Sequence, residues 1–135
     1  MVSTAKQQRT PLSRARGLGA AGHGVGHFIV ERATSVALVP LCIWAVWAGL
    51  KIAPLGYDGA ALFLASPINA VLAVLLVLVS ARHTSAGMRV VIEDYISKTP
   101  TRIALLLLNT GVAGLAAAIA VFSILKVALP GLTGH

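Results

Sequence analysis

Charge is what this sequence has least of. Asp, Glu, Lys and Arg make up 11% of its 135 residues, against about 25% in an ordinary soluble domain. With 57% of residues hydrophobic, the chain cannot cover a water-facing surface, and a bilayer is the alternative solvent. Acids are scarcest: Glu31, Asp58, Glu93 and Asp94 stand against 11 basic residues, a formal charge of +7. An excess of base can signal nucleic acid, but here the basic residues sit at the ends of long apolar runs. In that position they set membrane orientation, so nucleic acid is excluded as a partner. The single cysteine, Cys42, excludes an internal disulfide and any CxxC metal pair; it reads as a small packing residue. Glycines cluster between 17 and 26, but no strand precedes them, which excludes a nucleotide-binding loop. No nucleophile–base–acid set is visible.

What is present is three apolar stretches and one compact unit's worth of chain. Residues 1–26 carry Lys6, Arg9, Arg14 and Arg16, no acid, and Gly17, Gly19, Gly22, Gly24 and Gly26; they read as a flexible basic arm. The arm has no apolar core, so it is not a secretory signal. Its composition suits a bacterial cytoplasmic tail and a mitochondrial presequence equally. Residues 27–135 then form the membrane domain, with spans predicted at about 27–52, 67–92 and 101–127. The first run contains Pro40, which kinks a helix, and ends near Trp44 and Trp47, suited to an interfacial belt. Pro54, Gly56, Asp58 and Gly59 predict a loop over 51–65. Ser66-Pro67 and Thr99-Pro100 each look like a helix cap followed by proline. Gly111, Gly114 and Ala116–Ala118 give the third run small residues for close helix packing.

Basic residues fix the expected orientation. Five precede or open the first run, one follows it, four lie from Arg82 to Arg102, and one follows the third run. The positive-inside rule then places the N-terminus and the second loop in the cytoplasm, or in the matrix of a mitochondrion. The expected fold is an all-α membrane protein with three spans.

The second run is greasy at first and polar later, with Arg82, His83 and Arg89 inside it. Each ionisable group costs roughly 2.5–3.5 kcal/mol within a span, so compensation is required. One reading of His83 is a hydrogen bond across a helix pair; the other is an axial ligand of haem iron. Gly87 lies one turn on, leaving room for a flat macrocycle, while Arg82, Arg89 and Arg32 are candidate cations for its propionates. His23, His27 and His135 are too far from membrane depth to supply a second ligand, so that ligand would come from another chain. Asp94 lies eleven residues from His83, three turns and about 20° round, with a rise of about 16 Å. Asp94 and Tyr95 read either as a solvated acid with an interfacial tyrosine, or as a proton donor and phenol at a quinone site, where reduction consumes two protons. Glu31 pairs with a nearby base on the plainest reading.

The segment from His83 through Gly87 and Met88 to Asp94-Tyr95 resembles the H-x-x-x-G-[ML]-x-x-V-[IL]-x-D-Y signature of the succinate dehydrogenase hydrophobic membrane anchor family. Arg32-Ala33-Thr34 looks like that family's R-A-[TS] step, and the resemblance covers nearly the whole chain. It implies a bundle shared with a second membrane anchor of cytochrome b type, docked to iron–sulfur and flavoprotein subunits. It also implies haem b ligated through His83 jointly with the sister anchor, Arg32 near a propionate, and ubiquinone bound at Tyr95 with Asp94 beside it. The implied location is a bacterial inner membrane, with a mitochondrial inner membrane as the alternative. This chain departs from the family in having Thr84, Ser85 and Arg89 where aromatic residues are frequent. The competing expectations are a fumarate reductase anchor and a cofactor-free packing or transport subunit.

Overall fold

The computed structural model describes residues 22–129, all in helices and short turns, with no strand among them. Helix α1 spans Gly22–Ile52, α2 Gly56–Ala65, α3 Pro67–Tyr95 and α4 Thr99–Ala128; a 3-10 turn, Ala53–Leu55, joins α1 to α2. The three long helices hold 31, 29 and 30 residues, each about 44–46 Å of rise, more than the hydrocarbon core of about 30 Å. Three segments are long and apolar enough to cross a membrane: Phe28–Ala65, Pro67–Tyr95 and Thr99–Ala128. The all-α, three-span expectation holds. The sequence boundary of the basic arm falls mostly on residues 1–21, outside the described residues; the helix itself begins at Gly22.

The loop expected over 51–65 is instead mostly helix. Pro54 sits in the first turn of the 3-10 segment, where its missing N–H is not needed. Gly56 takes φ +64°, a left-handed value that glycine adopts freely, and re-aims the chain. From there Gly-Tyr-Asp-Gly-Ala-Ala-Leu-Phe-Leu-Ala is rich enough in helix formers to continue for 10 residues, with Asp58 favourably placed in the first turn. The turn residues thus mark a change of direction between two helices. Ser66 is the N-cap of α3, with Pro67 following, but its side chain makes no capping bond. For α4 the cap is Lys98, one residue before the Thr99 expected from sequence. Helix α1 runs through Pro40.

Residues from Glu31 onward form one compact unit; Gly22–Val30 belongs to a separate N-terminal one. Within the larger unit α3 and α4 pair most extensively, and α2 touches both. Among the described residues only Leu41, Ala48, Ala86 and Ile92 are buried, each still 3–8% exposed. Leu41 and Ala48, seven apart, continue the stripe begun by Thr34 and mark the inner face of α1. Most large apolar side chains are outside: Val36 is 71% exposed, Leu50 74% and Leu107 70%. Surfaces this apolar are not tolerated in water; they face lipid tails or other helices, and the chain is a multi-pass membrane protein.

A polar contact and an aromatic cluster punctuate this greasy packing. Asn109 of α4 donates through Nδ2 to the Ser85 carbonyl at 2.9 Å and to its hydroxyl at 3.2 Å. Trp44 and Trp47 pack against Phe63 of α2, with ring centroids 6.3 and 6.1 Å away, and Lys51 lies over the Trp47 ring at 5.9 Å. The tryptophans therefore serve the α1–α2 junction. Asn109→Leu is expected to weaken α3–α4 pairing by roughly 1 kcal/mol. Thr110→Val is the control, because that hydroxyl bonds only to Leu106 of its own helix. Denaturation in mixed micelles would measure both; equal losses would contradict the clasp.

Candidate functional site

His83 lies on the face of α3 directed toward α1, and it is half-buried. Its Nδ1 is 3.1 Å from the Thr34 hydroxyl. Thr34 Oγ1 also donates to the Glu31 carbonyl at 3.0 Å, one turn back on α1, and Ser35 Oγ donates to the same carbonyl at 2.8 Å. The cross-helix hydrogen bond weighed for His83 is therefore present. It engages Nδ1, and Nε2 is the second ring nitrogen, with its own donor or acceptor capacity.

The surroundings of His83 are lean. Ala86, on the next turn, is the most buried residue described, at 3% exposure. Gly87 shares the His83 face, and a Cβ built there would meet no atom within 4 Å. The space beside Gly87 is thus open, and any side chain larger than hydrogen would begin to fill it. Among the described residues no three His, Cys, Asp or Glu side chains converge.

The arginines separate. Arg82 is exposed and lines a groove of about 200 Å³ between α3 and α4, with Ser85, Thr110, Ala113 and Gly114. Arg89 turns to its own helix: Nε donates to Glu93 Oε1 at 2.8 Å, with the two side chains 54% and 42% exposed. Arg32 is exposed on α1 and already makes a contact of its own. The three cations are therefore not gathered into one cluster.

Asp94 and Tyr95 occupy the last turn of α3, inside the helix and two and three residues beyond the expected span end at about 92. Both are exposed, Tyr95 at 83%. Tyr95 lines a concavity of about 230 Å³ with Ile96, Ser97, Lys98 and Thr101 at the α3–α4 turn. The 12 residues from His83 to Tyr95 correspond to about 18 Å along the axis. The structure thus keeps the imidazole and the phenol on one helix but at different depths. Thr34 and Asn109 are the polar partners that sequence patterning did not single out. Their signal was weak, since one lay within a three-residue motif and the other looked like a mere interruption of the third run.

Three apolar spans with a half-buried histidine in the polar half of the middle one define a class: polytopic helical membrane subunits with an intramembrane polar site. The family model described as succinate dehydrogenase/fumarate reductase transmembrane subunit matches residues 6–126, and the chain belongs to that family. A succinate dehydrogenase hydrophobic membrane anchor subunit from Rickettsia bellii is 33% identical over 89 residues, covering 66% of this chain and 71% of that protein. Its counterpart from Rickettsia conorii is 32% identical over 90 residues, with the same coverage. A third, from Rickettsia felis, is 34% identical over 74 residues, 55% of this chain and 62% of that one. No solved structure matches.

The Arg89–Glu93 pair is exposed and four residues apart, a geometry worth about 0.3–0.5 kcal/mol at a water-facing surface. Glu93→Gln is accordingly expected to leave thermal stability in detergent within about 0.5 kcal/mol of the parent; a larger loss would give Glu93 a role beyond this pair.

Proposed function

We propose that this chain anchors a succinate:quinone oxidoreductase to a bacterial inner membrane, supplies His83 as one axial ligand of haem b, and forms part of the ubiquinone site with Tyr95 and Asp94. The flavoprotein and iron–sulfur subunits would oxidise succinate and deliver electrons to the membrane surface. A cytochrome b-type sister anchor would supply the second iron ligand. The basic N-terminal arm and the α3–α4 turn would face the cytoplasm, where those subunits dock.

The observation that carries the reading is the pairing of His83 with an open Gly87 on one face of a membrane-spanning helix. An imidazole with one nitrogen engaged and, among the described residues, no partner on the other suits a haem ligand, and a glycine one turn away accommodates a flat ring. When bound, the haem would supply a one-electron store within the bilayer. Arg82 and Arg32, both exposed, would hold its propionates by charge-assisted hydrogen bonds. Arg89 is the weaker candidate because Glu93 already engages it.

At the other end of the helix, Tyr95 would donate its phenolic hydrogen to a quinone carbonyl and orient the ring. Asp94, beside it and open to water, would pass protons from the aqueous side as the quinone takes up two electrons and two protons. Lys98 shares the Tyr95 concavity and would favour negative charge developing on the quinone oxygens. A fumarate reductase anchor would use the same groups for the reverse flow.

The His83–Thr34 hydrogen bond favours a second reading, in which His83 only joins α1 to α3 and the subunit carries no cofactor. A reduced-minus-oxidised optical spectrum of the whole complex separates the two. The haem reading expects a b-type band that disappears in His83→Ala; the structural reading expects no such band. Tyr95→Phe is expected to lower quinone reductase activity at least several-fold. It should leave succinate oxidation by a soluble artificial acceptor nearly intact, whereas equal loss of both activities would remove Tyr95 from the quinone site.

A further inference from the structure

We infer that Thr34 is the positioning residue for His83: its hydroxyl accepts the Nδ1 proton, and this commits Nε2 to the iron. The inference rests on the haem reading and deepens it by assigning the ring nitrogens.

The argument begins with proton bookkeeping. A neutral imidazole carries one N–H and one lone pair. The nitrogen that binds a metal must offer the lone pair, so the other carries the proton and acts as a donor. Nδ1 lies 3.1 Å from Thr34 Oγ1, which leaves Nε2 as the ligating atom. The threonine is prepared for the complementary role. Its single hydroxyl proton goes to the Glu31 carbonyl at 3.0 Å, and a carbonyl oxygen can only accept. A hydroxyl oxygen can accept from the ring while it donates its own proton elsewhere. Threonine's branched Cβ restricts χ1, so the hydroxyl is presented with little loss of freedom, from a residue 49 positions away in sequence.

The chemical consequence follows from the acceptor's strength. A hydrogen bond at Nδ1 pushes electron density to Nε2 and makes it a better donor to the metal. This stabilises ferric over ferrous iron. A neutral hydroxyl does so moderately and leaves the proton on the ring, where a carboxylate would pull it further away. Water is a poor substitute within an apolar span, so loss of the hydroxyl would leave the N–H without a partner and the ring free to turn.

The test is a redox titration of the haem in the intact complex, with haem content measured alongside, for Thr34→Val and Thr34→Ser. Thr34→Val keeps the shape and removes the acceptor; it is expected to raise the haem midpoint potential, or to lose haem. Thr34→Ser keeps the acceptor and is expected to retain both haem and the parental potential. Any other pattern overturns the inference: parental potential in both variants, a fall in Thr34→Val, or Thr34→Ser departing as far as Thr34→Val. A parent complex with no haem at all overturns the haem reading beneath it, an outcome distinct from a haem that ignores Thr34.

Discussion

A polar group in hydrocarbon must find its partners within protein, because no water is there to help. That constraint organises this molecule. Most of its outer surface is apolar and adapts to lipid without specificity. The few polar side chains within the spans therefore mark where helices must meet in a defined register. Thr34 with His83 ties α1 to α3, and Asn109 with Ser85 ties α4 to α3. Both contacts fall within three residues of each other on α3, so this short stretch is where the three long helices are held together. Small residues complete the junction: buried Ala86 and open Gly87 lie between the polar contacts and the rest of the helix.

Along α3 the chemistry changes with depth. Its first half is apolar, its middle carries the imidazole and its junction contacts, and its last turn carries an exposed acid and an exposed phenol. In the proposed function this gradient separates two tasks. Electron storage needs a desolvated site, whereas quinone reduction needs protons and so must reach water. One continuous helix can fix the spacing between such sites more rigidly than a loop can. The Arg89–Glu93 pair, exposed between them, contributes little stability; what it does is take Glu93 and Arg89 out of competition for neighbouring charges.

Much of this was legible in the residues. The span count followed from three long apolar runs, and His83, Gly87, Asp94 and Tyr95 stood out because their spacing matches helical faces. The short helix α2 was not legible, because Pro54, Gly56 and Gly59 are the same residues that make loops. Only the backbone reveals that one glycine at positive φ suffices for the turn. Nor was the partner of His83. A contact between residues 34 and 83 depends on how two helices rotate against each other, and a nearly all-apolar surface gives little periodic signal to set that rotation. The partner of Arg89 was equally hidden: a long side chain can reach several neighbours, and Arg89 engages Glu93 one turn on along its own helix.

The account stands or falls on whether His83 reaches a metal through Nε2. The most direct measurement is pulsed electron paramagnetic resonance on the oxidised complex, with histidine nitrogen-15 introduced into this subunit alone. The account predicts one strongly coupled labelled nitrogen at a low-spin ferric centre, absent when His83 is replaced. A ferric centre showing no coupling to any nitrogen of this chain would contradict it.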